Sequence, residues 1–389
     1  MPPKVDESRQ QGISPRDKAE VEFGSNDIRL TGYNWIFVFV VVALVFCLAP
    51  SLWHRAEGPP IGPDYRLPYS LGNDYWLYEQ WCRRACDEGK ALVIGDSVVW
   101  GHYVASDRTI SHFLNEIAGE ARFANLGVDG IHPAALSGLI RYYGRAISGG
   151  KVLLHCNPLW MTSDKHDLQT KKEFTFNHPR LVPQFFPRIP CYREPYAQRL
   201  GIAIGRNAPF FGWTNHLRVA YFDNNDIPRW TIEHPYANPL RCVTFHLPGP
   251  DDPVSTEPIE TIAKPWKDKG IPEFSPAWVG LDTSFQWYSF RATVDLLKRR
   301  GNDVFVLVGP FNEHMLTEAS LTTYNQMKKG IVAWLQERQV PHDAPLALPS
   351  DLYADASHPL AEGYALLARQ LFEKPEFLRF AGGKEATQR

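Results

Sequence analysis

Hydrophobic and polar positions are distributed unevenly along the chain, and the period of the pattern changes several times. Residues 1–29 are polar, mixed in charge and without apolar periodicity, the pattern of a disordered tail. Between Leu30 and Trp53 no charged side chain occurs, and positions 35–49 are wholly apolar. With 50–53 added the stretch is roughly 19 residues, close to the ~20 that a helix needs to cross a bilayer. Tyr33, Trp35 and Trp53 sit near its ends, where amphipathic rings favour the headgroup layer, and Arg29 and Arg55 bracket it. A buried core helix rarely combines this length with this lack of polar side chains. A cleaved signal peptide is the other rival, and the long polar leader and the poor cleavage site at Ala49-Pro50-Ser51 argue against it. Positions 30–53 therefore read as an uncleaved, single-pass anchor. Arg16, Lys18 and Arg29 before it slightly outnumber Arg55 and Arg66 after it, which favours a cytoplasmic tail 1–29 and an extracytoplasmic remainder at the cell membrane. Residues 54–73, rich in Pro and Gly, read as a linker.

From Tyr75 onward helical and strand patterns alternate. Positions 75–86 carry a helical pattern, 91–94 a short apolar strand ending in Gly95-Asp96-Ser97, 110–117 a helix and 123–126 a strand. Pro133 stands where a helix can start, with Leu136, Leu139, Ile140, Tyr143 and Ile147 at helical spacing, and 152–155 is another strand. The alternation resumes at 285–300 (helix), 304–308 (strand), 322–338 (helix) and 361–372 (helix). Strands that alternate with helices imply an α/β fold, a mostly parallel sheet covered on both faces. Between about 162 and 280 the chain is dense in Pro, Phe, Trp and His with little periodicity, and reads as an insertion packed over one end of the sheet. The globular domain is expected over 74–372, followed by a C-terminal tail 373–389.

Composition changes this picture little. Apolar residues make up 44% and charged residues 22%, enough to build a sizeable core. A formal net charge of -2 gives no electrostatic case for nucleic acid as a partner. Of the six cysteines Cys47 lies in the apolar run, which leaves five, so a fully paired framework is excluded. Cys191 with Cys242 stays open as a disulfide or as two free thiols. No His/Cys cluster has zinc spacing, and His166, His178, His216, His234 and His246 are too scattered for a metal site.

Two motifs carry candidate chemistry. In Val93-Ile94-Gly95-Asp96-Ser97, the serine stands where a strand ends, the edge at which open α/β sheets bind ligands. In Asp355-Ala356-Ser357-His358-Pro359, the histidine suits a general base and the aspartate three residues earlier can hold its tautomer. A serine hydroxyl is a poor nucleophile without such a base. Asn312-Glu313-His314 follows a strand and could face the same pocket.

Strand-Gly-Asp-Ser near the domain start with Asp-x-x-His-Pro before the last helix resembles the SGNH (GDSL-like) hydrolase family. Two further family blocks find counterparts. After the second strand, Asn125-Leu126-Gly127-Val128-Asp129-Gly130 offers an oxyanion-hole glycine, Gly130 the better fit and Gly127 the alternate. After the third, His155-Cys156-Asn157-Pro158 places Asn157 where the family has Gly-x-Asn-Asp, with His155 in place of the Gly and Pro158 in place of the Asp. The resemblance covers about 90–160 and 285–372. It implies a three-layer α/β/α sandwich with a flavodoxin-like sheet. It also implies Ser97 as nucleophile, His358 as base, Asp355 as its orienting carboxylate, and Ser97, Gly130 and Asn157 as oxyanion donors, with no metal or organic cofactor. An esterase acting on an acyl ester of a carbohydrate or lipid, acetyl among the candidates, is the expected activity. An N-terminal anchor before such a domain is also similar in layout to the D-alanine transfer protein and alginate-type O-acetyltransferase families, so an acyltransferase acting on an envelope polymer is the alternative. A non-catalytic binding protein on the same fold is the third reading.

Overall fold

The computed structural model describes residues 30–58, 62–252 and 263–382; the expected tail 1–29, part of the linker and insertion, and the last residues lie outside these. The chain falls into two units, Met1–Ser51 and Leu52–Arg389. Most of helix α1 (Gly32–Ala56) belongs to the first. It leaves nearly every side chain exposed, and is long and apolar enough to cross a membrane.

Among the described residues of the second unit, five strands form one all-parallel sheet in the order β2-β1-β3-β4-β5. The strands are β1 (Ala91–Gly95), β2 (Phe123–Gly127), β3 (Lys151–Cys156), β4 (Asp303–Val308) and the two-residue β5 (His342–Asp343). Every residue of β1 and β2 is buried, because both faces of the sheet are covered, and so these strands read as continuous apolar runs. Side chains alternate between two cores. Leu92, Ile94, Leu126, Val152, Leu154 and Val306 pack under α2 (Tyr75–Asp87), α5 (Pro133–Tyr142), α10 (Phe285–Arg299) and α11 (Glu318–Glu337). Val93, Phe123, Leu153, Phe305 and Leu307 pack under α4 (Ile110–Ala118), α12 (Ala361–Phe372) and α13 (Pro375–Ala381). This is the expected three-layer α/β/α arrangement. The strand order reverses between β1 and β3, so the crevice beyond their carboxyl ends is the topological switch point, where this architecture binds ligands.

Three segments differ from their sequence patterns. Positions 54–73 are not a free tether: Tyr65, Arg66, Leu67 and Leu71 are buried. Pro and Gly report backbone preference, not burial, so composition could not show this. The low-periodicity insertion contains helices α6 (Tyr196–Gly205), α7 (Pro209–Tyr221), α8 (Ile227–Glu233) and α9 (Pro239–Cys242). α7, α8 and α9 each begin with Pro in the first turn, where its missing N–H costs nothing. Helix α13, inside the expected tail, buries Phe377 and Phe380 against the sheet. All six cysteines are free thiols, Cys191 buried and Cys242 half-buried.

The insertion is tied to the start of the unit by a buried ionic joint. His216 on α7 lies 2.6 Å from an Asp74 oxygen and 2.9 Å from a Glu57 oxygen, and the Tyr221 hydroxyl donates to Glu57. Burial opposes charge on His216, but the two carboxylates prevail and push its pKa up to about 10.

Candidate active site

At the end of β1 the chain turns into α3 (Ser97–Trp100), a single helical turn that carries Ser97 at its first position. Gly95 is required there, since a Cβ would sit 2.5 Å from Val99 and 2.7 Å from the His155 Cβ. The turn is held at both ends. Asp96 accepts from the Val98 N–H at 3.0 Å, Tyr364 donates to the Val98 carbonyl at 2.7 Å, and Arg66 donates to the Trp100 and Gly101 carbonyls at 2.8 and 2.7 Å. The Arg66 guanidinium also lies 4.0 Å from the Trp100 ring centroid.

The two candidate motifs, with Ser97 and His358 261 residues apart, meet over this turn. His358 Nε2 lies 2.8 Å from Ser97 Oγ. His358 Nδ1 lies 2.8 Å from both Asp355 oxygens. Asp355 also accepts from the backbone N–H groups of Ser357 and His358, at 2.9 and 3.0 Å. Burial alone would raise the Asp355 pKa, but the His358 charge and these hydrogen bonds hold it well below the usual carboxylate range. Burial alone would lower the His358 pKa, but the adjacent Asp355 raises it above that of a free histidine. Both ring nitrogens are therefore engaged, one with a carboxylate and one with a hydroxyl, which leaves the hydroxyl proton a basic acceptor.

The oxyanion candidates separate. The Gly127 N–H is taken by Asn125 Oδ1 at 2.9 Å, and a Cβ on Gly127 would lie 2.3 Å from the Trp100 N. Gly127 is thus a packing glycine, where α3 crosses β2. Gly130 adopts a φ of +66° in the following turn. Among the described residues the N–H groups of Ser97 and Gly130 donate to no protein acceptor. Asn157 follows β3, the neighbour of β1, and its Nδ2 donates to Asp96 Oδ2 at 2.8 Å. Its Oδ1 accepts from the Leu159 N–H at 3.0 Å. A carboxamide has two N–H donors, so one remains.

Asp96 fixes the turn through the Val98 N–H and is also the hub of the surrounding polar groups. Besides Val98 and Asn157 it accepts from Trp160 Nε1 at 2.8 Å, and His155 Nδ1 lies 3.2 Å from its other oxygen, though not aligned as a hydrogen bond. Burial would raise its pKa, but His155 and the bonds from Trp160 and Asn157 bring it down to about 2. It thereby fixes the Asn157 amide. A second unforeseen pair, His102 Nδ1 and Asp129 Oδ1, lies 2.6 Å apart, with the His102 ring 5.5 Å from that of His358. No local motif marks two residues 27 positions apart.

The insertion reaches the surroundings of the site through His178 and Lys269. His178 Nε2 bonds the Asp129 carbonyl at 3.0 Å while its Nδ1 meets the Tyr75 hydroxyl at 3.0 Å. Lys269 stands 4.2 Å over the Tyr103 ring, which in turn lies edge-on to His358 at 5.4 Å. Of Asn312-Glu313-His314, Asn312 donates to the Asp355 carbonyl at 3.1 Å and steadies that loop from behind. His314 instead bonds the Leu348 carbonyl, and Glu313 pairs with Lys328.

No protein-family model and no curated protein sequence matches this chain.

Proposed function

We propose that this protein is a membrane-anchored serine esterase of the SGNH type, held by α1 in the cell membrane with its catalytic unit outside the cytoplasm. The observation that carries the reading is the hydrogen-bonded relay Ser97–His358–Asp355 at the switch point, with the Ser97 and Gly130 N–H groups uncommitted. Ser97 Oγ attacks an acyl carbonyl while His358 Nε2 takes its proton. The tetrahedral oxyanion is met by the Ser97 and Gly130 N–H groups and the second Asn157 N–H, in a site where buried donors are worth more than in water. Collapse expels the alcohol, which takes the proton back from His358, and leaves an acyl group on Ser97. Water then completes hydrolysis by the same proton path in reverse. The substrate class is an acyl ester of a carbohydrate or lipid.

Transfer to a sugar hydroxyl is the second reading. One observation favours it: Ser97 and His358 are each only 9% exposed, with the Tyr103 ring edge-on to His358, and water competes less for an acyl-enzyme in a covered site. The test uses a soluble ester, a serine-reactive phosphonate and oligosaccharide acceptors. The phosphonate is expected to label Ser97 alone, and Ser97→Ala is expected to lose on the order of 10⁶-fold in kcat. Substantial activity in Ser97→Ala removes the triad from the mechanism. Free acid at every acceptor concentration, with no acylated sugar, removes transfer and leaves hydrolysis.

A further inference from the structure

Large apolar side chains left exposed after Leu52 are concentrated in one segment of the chain. Of thirteen among the described residues, ten fall between 186 and 245, in the helical part of the insertion. Helix α6 buries none of its residues. It presents Tyr196, Leu200 and Ile204 at four-residue intervals, hence along one face, each more than half exposed. Beyond α7 the exposure continues with Ile232, Tyr236 and Leu240, at 79, 101 and 84%. A soluble monomer scatters such side chains singly, and a concentration of them marks a binding surface.

Two further observations say what covers it. Between 180 and 245 the sequence has eight arginines, no lysine and only four acidic residues, while the whole chain is net -2. Arg188 and Arg241 are exposed beside the apolar positions. Apolar and aromatic side chains interspersed with cations are the composition of helices that lie in a bilayer interface, where arginine meets anionic headgroups. The second observation is chain continuity. Trp53, at the end of the apolar run, packs against Trp213, Tyr221 and Phe245 with ring centroids 5.6, 6.2 and 4.7 Å away. Glu57, four residues on, is locked to His216 and Tyr221. Trp53 in the last turn of α1, and Leu67 and Leu71 after it, thus belong to the same core as α7 and α8.

We propose that α6–α9 form a membrane-binding face that lies on the anionic surface of the leaflet from which the catalytic unit emerges. The placement rests on α1 being the membrane anchor. The face then acts as a second attachment, immersed about 5–10 Å at the headgroup boundary. The anchor fixes location, and the face fixes the orientation of the unit.

The experiment uses the full chain in vesicles of equimolar phosphatidylcholine and phosphatidylglycerol. A fluorescent amino acid replaces Leu200, Ile232 or Leu240, one position per variant. Nitroxide-labelled lipids serve as quenchers. Leu346, 85% exposed but outside the segment, is the aqueous control, and Phe39 in α1 is the anchor control. Quenching is expected at all three face positions and not at Leu346, and weaker in phosphatidylcholine alone. Face positions as unquenched as Leu346 overturn the proposal, as does cross-linking of Leu240 to a second copy in place of quenching. Equal quenching without phosphatidylglycerol overturns the role given to the arginines. An unquenched Phe39 refutes the anchor reading on its own.

Discussion

Replacing Asp96 by Asn removes one negative charge from the turn that carries Ser97 while keeping its shape. The carboxylate is 4% exposed and serves donors on both oxygens: Asn157 and Trp160 on one, Val98 on the other. The amide oxygen of Asn can serve only one side. With Asn157 and Trp160 retained, its NH₂ points at the Val98 N–H, which loses its acceptor. A buried unsatisfied donor costs about 1–3 kcal/mol, and two charge-assisted bonds that become neutral lose about 1 kcal/mol each. Relief of carboxylate desolvation offsets part of this, so a net destabilisation of about 2–4 kcal/mol is expected. In catalysis the Asn157 amide is held less firmly. A lost oxyanion donor costs roughly 10²–10³ in kcat, so a loosened one should cost roughly tenfold to a hundredfold, with KM little changed. The pH dependence gives an independent check. The Asp96 pKa is depressed to about 2 in the folded state, below its unfolded value. Its contribution is therefore present above about pH 4 and is lost as pH falls through about 2. Denaturant unfolding of wild type and variant between those limits should show the stability gap narrowing with acid. Unchanged stability at neutral pH, together with kcat within a factor of about two of wild type, refutes the view that Asp96 holds the site together.

Other consequences follow from the same contacts. The kcat/KM of ester hydrolysis should rise with pH through one ionisation lying above a free histidine's pKa of about 6.5, because Asp355 stabilises the protonated His358 that must deprotonate to act as base; a flat profile between about pH 5 and 8 contradicts this role. Asn157→Ala should lower kcat by roughly 10²–10³, and a loss below tenfold in steady-state assays confines Asn157 to its bonds with Asp96 and Leu159. His216→Ala leaves two buried carboxylates without their cation and should cost about 3–5 kcal/mol in chemical unfolding, with a thermal midpoint close to wild type counting against the joint.

The strands over 91–95, 123–127, 151–156 and 303–308 were legible in the sequence because a strand covered on both faces must be continuously apolar. The apolar helix was legible for a similar reason: a run of residues reports its own solvent. Ser97, Asp355 and His358 were legible because each motif is local, three residues for one and a strand-end turn for the other. Their meeting at 2.8 Å was not local, and neither were the features that support it. Asp96 grips Asn157 and Trp160 from 61 and 64 positions away, His102 meets Asp129 across 27, and Arg66 reaches back from a Pro- and Gly-rich stretch to hold α3 across 34 and 35. Helical periodicity in the insertion was obscured because α6 buries no side chain and α7 and α8 bury few, so only a narrow apolar stripe faces the small core they share. Amphipathic pattern shows that a segment has an apolar face, and does not say what covers that face. Only the tertiary structure brings distant polar groups into one low-dielectric crevice, where each needs a partner and so fixes the others.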